Sequence, residues 1–168
     1  KSKAAHLDQL IVITHWGVEY QTSPNKNQIR TTQFLLDHGV DIIIGGHPHV
    51  IQKAIWKKEH KQLVAYSLGN FVSNQASVNT DGGILLELTL VKNKGEIEIT
   101  NPGYHLIWVH KPNINGKKIY EIIPCNQYEN DKSIMNEGNQ NKMSRFIKNA
   151  RKIMSNNEGF YRMTEEEL

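Results

Sequence analysis

Leu10-Ile11-Val12-Ile13-Thr14-His15-Trp16-Gly17 and Asp41-Ile42-Ile43-Ile44-Gly45-Gly46-His47-Pro48-His49 are the two stretches on which the fold turns. Each is a short β-branched run of strand length, followed at once by glycine and histidine. Both read as strands apolar on two faces, the pattern of a covered sheet. Between them, residues 27–38 offer Ile29, Phe34, Leu35 and Leu36 as the apolar face of a helix, which Gly39 stops. Strand, helix and strand make a βαβ unit, whose strands run parallel through a right-handed crossover. His15 therefore leaves the first strand at the same carboxyl edge where His47 and His49 leave the second. Open α/β sheets place their ligands at that edge.

Outward from this unit the chain turns to hairpins. Residues 50–57 and Leu63–Ser67 pair around Glu59-His60-Lys61, which sends the second arm back toward the histidines. Residues 84–91 and 96–100 form another hairpin through Asn93-Lys94-Gly95. Asn101-Pro102-Gly103 reads as a turn into a strand at 104–110, and 119–123 as a last strand. Residues 126–140 are polar and turn-rich. Phe146, Ile147, Ala150, Ile153 and Met154 then recur at helical spacing. The expectation is an α/β portion over 1–123, then a polar connector and helical extension over 124–168 with a frayed end at Glu165–Leu168.

Composition narrows the function classes. With 168 residues, 22% charged and 38% hydrophobic, the chain is neither a disordered tail nor a run of membrane spans. The net charge of +3 comes from scattered lysines, the densest groups at 53–61 and 142–152, which read as solvated faces. No aromatic RNA-binding pair or base-reading basic helix accompanies them, so no nucleic-acid partner is expected. Cys125 is the single cysteine, which excludes an intrachain disulfide. The start at Lys1-Ser2-Lys3 lacks an initiator methionine, as a processed protein or an excised domain would.

Three imidazoles at one sheet edge are candidate ligands for a divalent ion, because neutral imidazole is its commonest side-chain ligand. Gly45-Gly46 permits a sharp turn beside a ligand, and Pro48 stiffens the spacing of His47 and His49. Glu19 is placed either to orient an imidazole or to face water. Trp16 either walls the pocket or packs in the core. Asn70 is a pocket amide, or satisfies its own turn. Asp81 reads as a turn former, and His6, His38, His60, His105 and His110 as structural or exposed. Acids to bridge two ions are missing, since Asp8, Asp37 and Asp41 fall at the opposite edge. Alone, the set resembles a mononuclear zinc site; otherwise it is half of a dinuclear one.

His15-Trp16-Gly17-Val18-Glu19-Tyr20, Gly45-Gly46-His47-Pro48-His49-Val50 and Tyr66-Ser67-Leu68-Gly69-Asn70-Phe71-Val72 together resemble the C-terminal half of the CapA family. These are bacterial capsule or poly-γ-glutamate synthesis proteins within the calcineurin-like metallophosphoesterase superfamily. The resemblance spans about residues 10–91. It implies the C-terminal part of a two-sheet α/β sandwich, with a dinuclear site of Mn, Zn or Fe. His15 and His47 would help bind one ion and act in catalysis, and His49 would bind the other. The superfamily's earlier Asp-x-His, Gly-Asp-x-x-Asp and Gly-Asn-His blocks have no match here, so the resemblance implies a missing N-terminal half as partner. It also implies a phosphoesterase-type hydrolase or a non-catalytic accessory of polymer assembly, an envelope-facing location and a polymer-synthesis complex. Apolar sheet surface left open by the missing half would favour self-association.

Overall fold

In the computed structural model, which describes residues 7–155 and 160–162, β1 (Ile11–His15) and β2 (Ile42–Gly46) pair in parallel. Ile11 lies opposite Ile42 and His15 opposite Gly46. His6 and Glu165–Leu168 lie outside the described residues. The crossover is α1 (Lys26–Asp37), whose start is a capping box. The Asn25 carboxamide accepts from the Gln28 amide, and the Gln28 side chain accepts from the Asn25 amide, both at 2.9 Å.

That cap helps decide which helix face is buried. Gln28, Thr32 and Leu36, four apart, face inward, while Ile29 and Phe34 are exposed, contrary to the sequence expectation. Gln28 is held by its own buried bond, Nε2 donating to Gln52 Oε1 at 2.7 Å. A satisfied buried amide here outweighs the apolar count of the neighbouring face.

β3 (Ala54–Lys57) and β4 (Gln62–Ala65) form the expected hairpin around a short 3₁₀ turn. β4 runs parallel to β2, giving the order β1-β2-β4-β3 and delivering Tyr66–Asn70 to the histidine edge. A second correction concerns β1. It is an edge strand of this sheet, and Ile11 and Ile13 are 45% and 80% exposed rather than buried on both faces. Among the described residues, no element covers that side.

The second sheet begins with β5 (Gly82–Asn93) and β6 (Glu96–His110). The turn expected at 101–103 is instead an irregularity inside one long strand. Register shifts between Glu87 and Thr89, and Asn101 takes a left-handed φ of +49°, so a bulge absorbs the extra residues. β7 (Asn113–Ile114) and β8 (Lys117–Lys118) make a small hairpin, and β9 (Glu121–Pro124) pairs antiparallel with β6. The stretch expected to be an irregular connector holds α2 (Cys125–Tyr128) and the start of α3 (Glu137–Met154), capped by Asn136. β10 (Tyr161–Arg162) pairs parallel with β6.

Met143, Phe146, Ile147, Ala150 and Met154 of α3 share one core with Ile42, Leu63 and Ala65 of the first sheet and Ile84, Leu106 and Trp108 of the second. A smaller core joins Leu36 and Val40 to Ile43, Val64 and Tyr66 on the other face. The architecture is the expected α/β arrangement: a βαβ unit, hairpins, two sheets and a C-terminal helix.

Candidate functional site

Gly45 is where the edge is built. A Cβ there would lie 2.1 Å from the Tyr66 carbonyl oxygen and 2.4 Å from Trp16 Nε1. Only glycine lets Trp16 cross the strand, donate Nε1 to that carbonyl at 2.8 Å and stack on the Tyr66 ring. Trp16 thus packs against the smaller core as a floor beneath the edge. Its amide bonds Gly46 O and the Tyr20 amide bonds Pro48 O, joining the loop after β1 to the turn after β2. From below, Gln52 Nε2 donates to the carbonyls of Gln21 and Ser23, anchoring the same loop.

On this frame His15 and His47 lie with ring centroids 4.4 Å apart, and His47 and His49 6.2 Å apart. Residues far apart in sequence have become neighbours, as the parallel pairing of β1 and β2 demands. His47 and His49 sit at φ +100° and +59°. Left-handed backbone at non-glycine residues costs about 1–3 kcal/mol each and concentrates at functional sites. His15 is exposed and the other two rings are half-buried, so all three are open to solvent-borne groups.

Around His49 the contacts are specific. Nδ1 lies 2.9 Å from Asn70 Oδ1, and Nε2 lies 3.9 Å from Glu19 Oε1. The Tyr20 ring stacks against the imidazole at 6.3 Å. Glu19 and Asn70 therefore both face His49, whereas Trp16 supports the turn and, among the described residues, stacks on Tyr66 rather than on a histidine.

The donor chemistry suits a divalent ion, but the set is partial. Among the described residues, no three His, Cys, Asp or Glu side chains form a group able to hold a metal ion by themselves. Asp81 is a buried carboxylate rather than a turn former, yet it accepts from Trp108 Nε1 at 2.9 Å. Asp8 pairs with Lys92. Burial raises the Asp41 pKa, at the opposite end of β2. Burial also pushes the Cys125 thiol up to about 12, which disqualifies it as a nucleophile at neutral pH.

Tyr20, Gln75, Thr80 and Lys111 were not legible as neighbours of the site. They reach it through loop conformation, and Lys111 comes from beyond β6. The Asn25–Gln28 capping box was also missed, although an Asn-x-x-Gln spacing before an apolar run is the signal that could have found it.

Comparison with known sequences falls on the same region. Residues 1–75 match the family described as "Bacterial capsule synthesis protein PGA_cap". The "PGA biosynthesis protein CapA" of Bacillus subtilis (strain 168) is 38% identical over 101 residues, covering 60% of this chain and 26% of that protein. The "Capsule biosynthesis protein CapA" of Bacillus anthracis is 33% identical over 127 residues, covering 76% of this chain and 25% of that protein. The chain spans about a quarter of the length of the curated relatives it matches.

Proposed function

This chain belongs to the PGA_cap family of bacterial capsule synthesis proteins, and on that premise we propose that it carries the histidine side of a metal-dependent phosphoesterase-type site. The biological role we attach to it is formation or export of a poly-γ-glutamate or capsule polymer at the cell envelope, within a polymer-synthesis complex. The observation that carries the reading is the convergence of His15, His47 and His49 at one sheet edge, on a strained turn that a packing role alone does not call for.

In this reading His15 and His47 hold one divalent ion and His49 holds a second. The pair of ions, Mn, Zn or Fe, supplies Lewis acidity toward a phosphoryl oxygen and an activated water. Glu19 and Asn70 orient the His49 ring. Trp16 keeps the turn rigid, and the half-open rings leave room for a phosphoryl group. The carboxylates that the donor set lacks come from the remainder of the longer protein. That remainder also covers the open side of β1, where Ile11 and Ile13 face outward.

The partial donor set favours a second reading, a non-catalytic accessory of polymer assembly whose histidines serve the fold or bind metal weakly. Assaying the full-length protein with Mn²⁺ or Zn²⁺ on an aryl phosphodiester, beside His47→Asn, separates the two. Asparagine tolerates the left-handed backbone at this position and removes the imidazole. Metal-dependent turnover lost in the variant supports the hydrolase; equal inactivity of both supports the accessory.

A further inference from the structure

We propose that Gln75 and Lys111 are positioning residues for His49. Through the Asn70 amide they hold its neutral imidazole as the Nδ1–H tautomer, with the Nε2 lone pair left free on the Glu19 side. The consequence for metal affinity rests on the reading above; the tautomer itself does not.

The argument starts at Asn70. Its Nδ2 lies 2.8 Å from the Thr80 carbonyl and 3.3 Å from Gln75 Oε1, and both of these atoms accept hydrogen bonds. Reversing the amide would set its oxygen against the Thr80 carbonyl, a backbone acceptor that no side-chain rotation can turn into a donor, and lose that bond. Oδ1 therefore faces His49, and an acceptor 2.9 Å from Nδ1 requires the proton to sit on Nδ1. Nε2 is left as the basic nitrogen, with Glu19 Oε1 as its nearest ionic neighbour at 3.9 Å.

The loop that supplies these acceptors does not hold itself by packing. Phe71, Val72 and Val78 are all exposed, so their side chains contribute little buried apolar surface. Beyond its internal bonds, such as the Gln75 amide donating to Ser73 Oγ at 3.0 Å, the loop is held from outside. The Lys111 ammonium donates to the Gln75 carbonyl. From the β7–β8 arm, Lys118 Nζ and Tyr120 Oη reach Asn74 Oδ1 at 3.0 and 2.9 Å. Thr80 is fixed separately, its amide and hydroxyl both bonding Ser77 O. Asp81, buried at the end of the same loop, faces Lys111 electrostatically and offsets part of the desolvation that lowers the lysine's pKa. Lys111 thus clamps the loop at its middle and is drawn toward its end.

Nitrogen-15 NMR of the full-length protein, labelled on histidine and studied metal-free at a pH where imidazole is neutral, reads the tautomer directly. His49→Gln assigns the resonances. The expected result is His49 Nδ1 in the protonated range and Nε2 in the unprotonated range. Gln75→Leu and Lys111→Met should each convert this to a tautomer mixture and weaken Zn²⁺ binding by roughly 10–100-fold, with Lys111→Arg restoring both. An Nε2–H tautomer in the parent protein overturns the proposal. So does an unchanged tautomer in Gln75→Leu that remains folded by circular dichroism, whatever becomes of Lys111→Met. A parent protein with the Nδ1–H tautomer and no Zn²⁺ binding keeps the positioning and refutes only the metal reading.

Discussion

The two sheets treat their histidines in opposite ways. In the second sheet His110 is buried and satisfied at both ring nitrogens, Nδ1 by Glu121 at 2.9 Å and Nε2 by Asn139 at 3.2 Å. His105 is buried beside Glu87 at 2.9 Å, with its other nitrogen enclosed and unpartnered. Both belong to the long strand β6, His110 as its last residue. At the edge of the first sheet, His47 and His49 occupy left-handed backbone on a glycine turn, and His15 ends a strand. The ring centroids of His15 and His47 lie 4.4 Å apart and those of His47 and His49 6.2 Å, and the ion-pair neighbour of His49 Nε2 among the described residues is Glu19, at 3.9 Å. A histidine with a single close acid inside a strand stabilises its sheet. Several imidazoles gathered on strained backbone, without the buried acid and amide partners that satisfy His110, are the contrast on which the proposed metal site rests.

Substitutions can break that contrast. The largest effect is expected from Gly45→Ala, whose methyl must displace the Tyr66 carbonyl and the Trp16 indole. It should cost about 3 kcal/mol in urea denaturation, the upper end of overpacking penalties. A cost under 1 kcal/mol would mean that the turn is not built on this glycine. His47→Asn in the full-length protein should lower Zn²⁺ affinity more than the roughly 10–100-fold that losing an orienting partner costs. Titration calorimetry measures it, and an unchanged isotherm would place His47 outside any metal site. The counterpart, Glu121→Ala, should reverse the pattern. It strips the buried His110 of a partner and should cost about 1–3 kcal/mol of stability, leaving Zn²⁺ affinity untouched.

Smaller effects sharpen the description of the first sheet. Ile13→Lys should change the stability of this chain alone by less than about 0.5 kcal/mol, because the side chain already meets water. In the full-length protein it should cost several times more, and equal small costs in both would show that β1 stays open. The same substitution should reduce self-association in analytical ultracentrifugation. Asp41→Asn should act least, and through pH. Burial raises the folded-state pKa of Asp41 above 3.8, so its ionised form is disfavoured in the fold. That cost is absent below 3.8, grows as pH rises through the folded pKa, and stays at neutral pH. Thermal melts of parent and variant should therefore diverge on raising pH through this window, the parent losing more; parallel curves would refute it.

Much of the fold was readable because hydrophobic runs and glycines act locally. The β1 and β2 runs, the β3–β4 hairpin and the C-terminal helix stand near their expected places. So do the three histidines, since parallel strands joined by one helix must present their carboxyl ends together. Local pattern failed where a long-range polar bond or an empty neighbouring position overrode it. Gln28 turned α1 because Gln52 awaited it, and Ile13 stayed open because nothing among the described residues lies beyond β1.

From residue order alone came the βαβ unit, the shared edge of His15, His47 and His49, and the kinship with capsule proteins. Each depends on neighbours within a few residues or on a topological rule with almost no exceptions. Tertiary structure alone decided which nitrogen of His49 is open, what Asp81 bonds, and that Lys111 governs a loop distant from it in sequence. Those outcomes depend on hydrogen-bond geometry between remote segments, where an ångström or a flipped amide changes the chemistry, and sequence spacing carries no record of either.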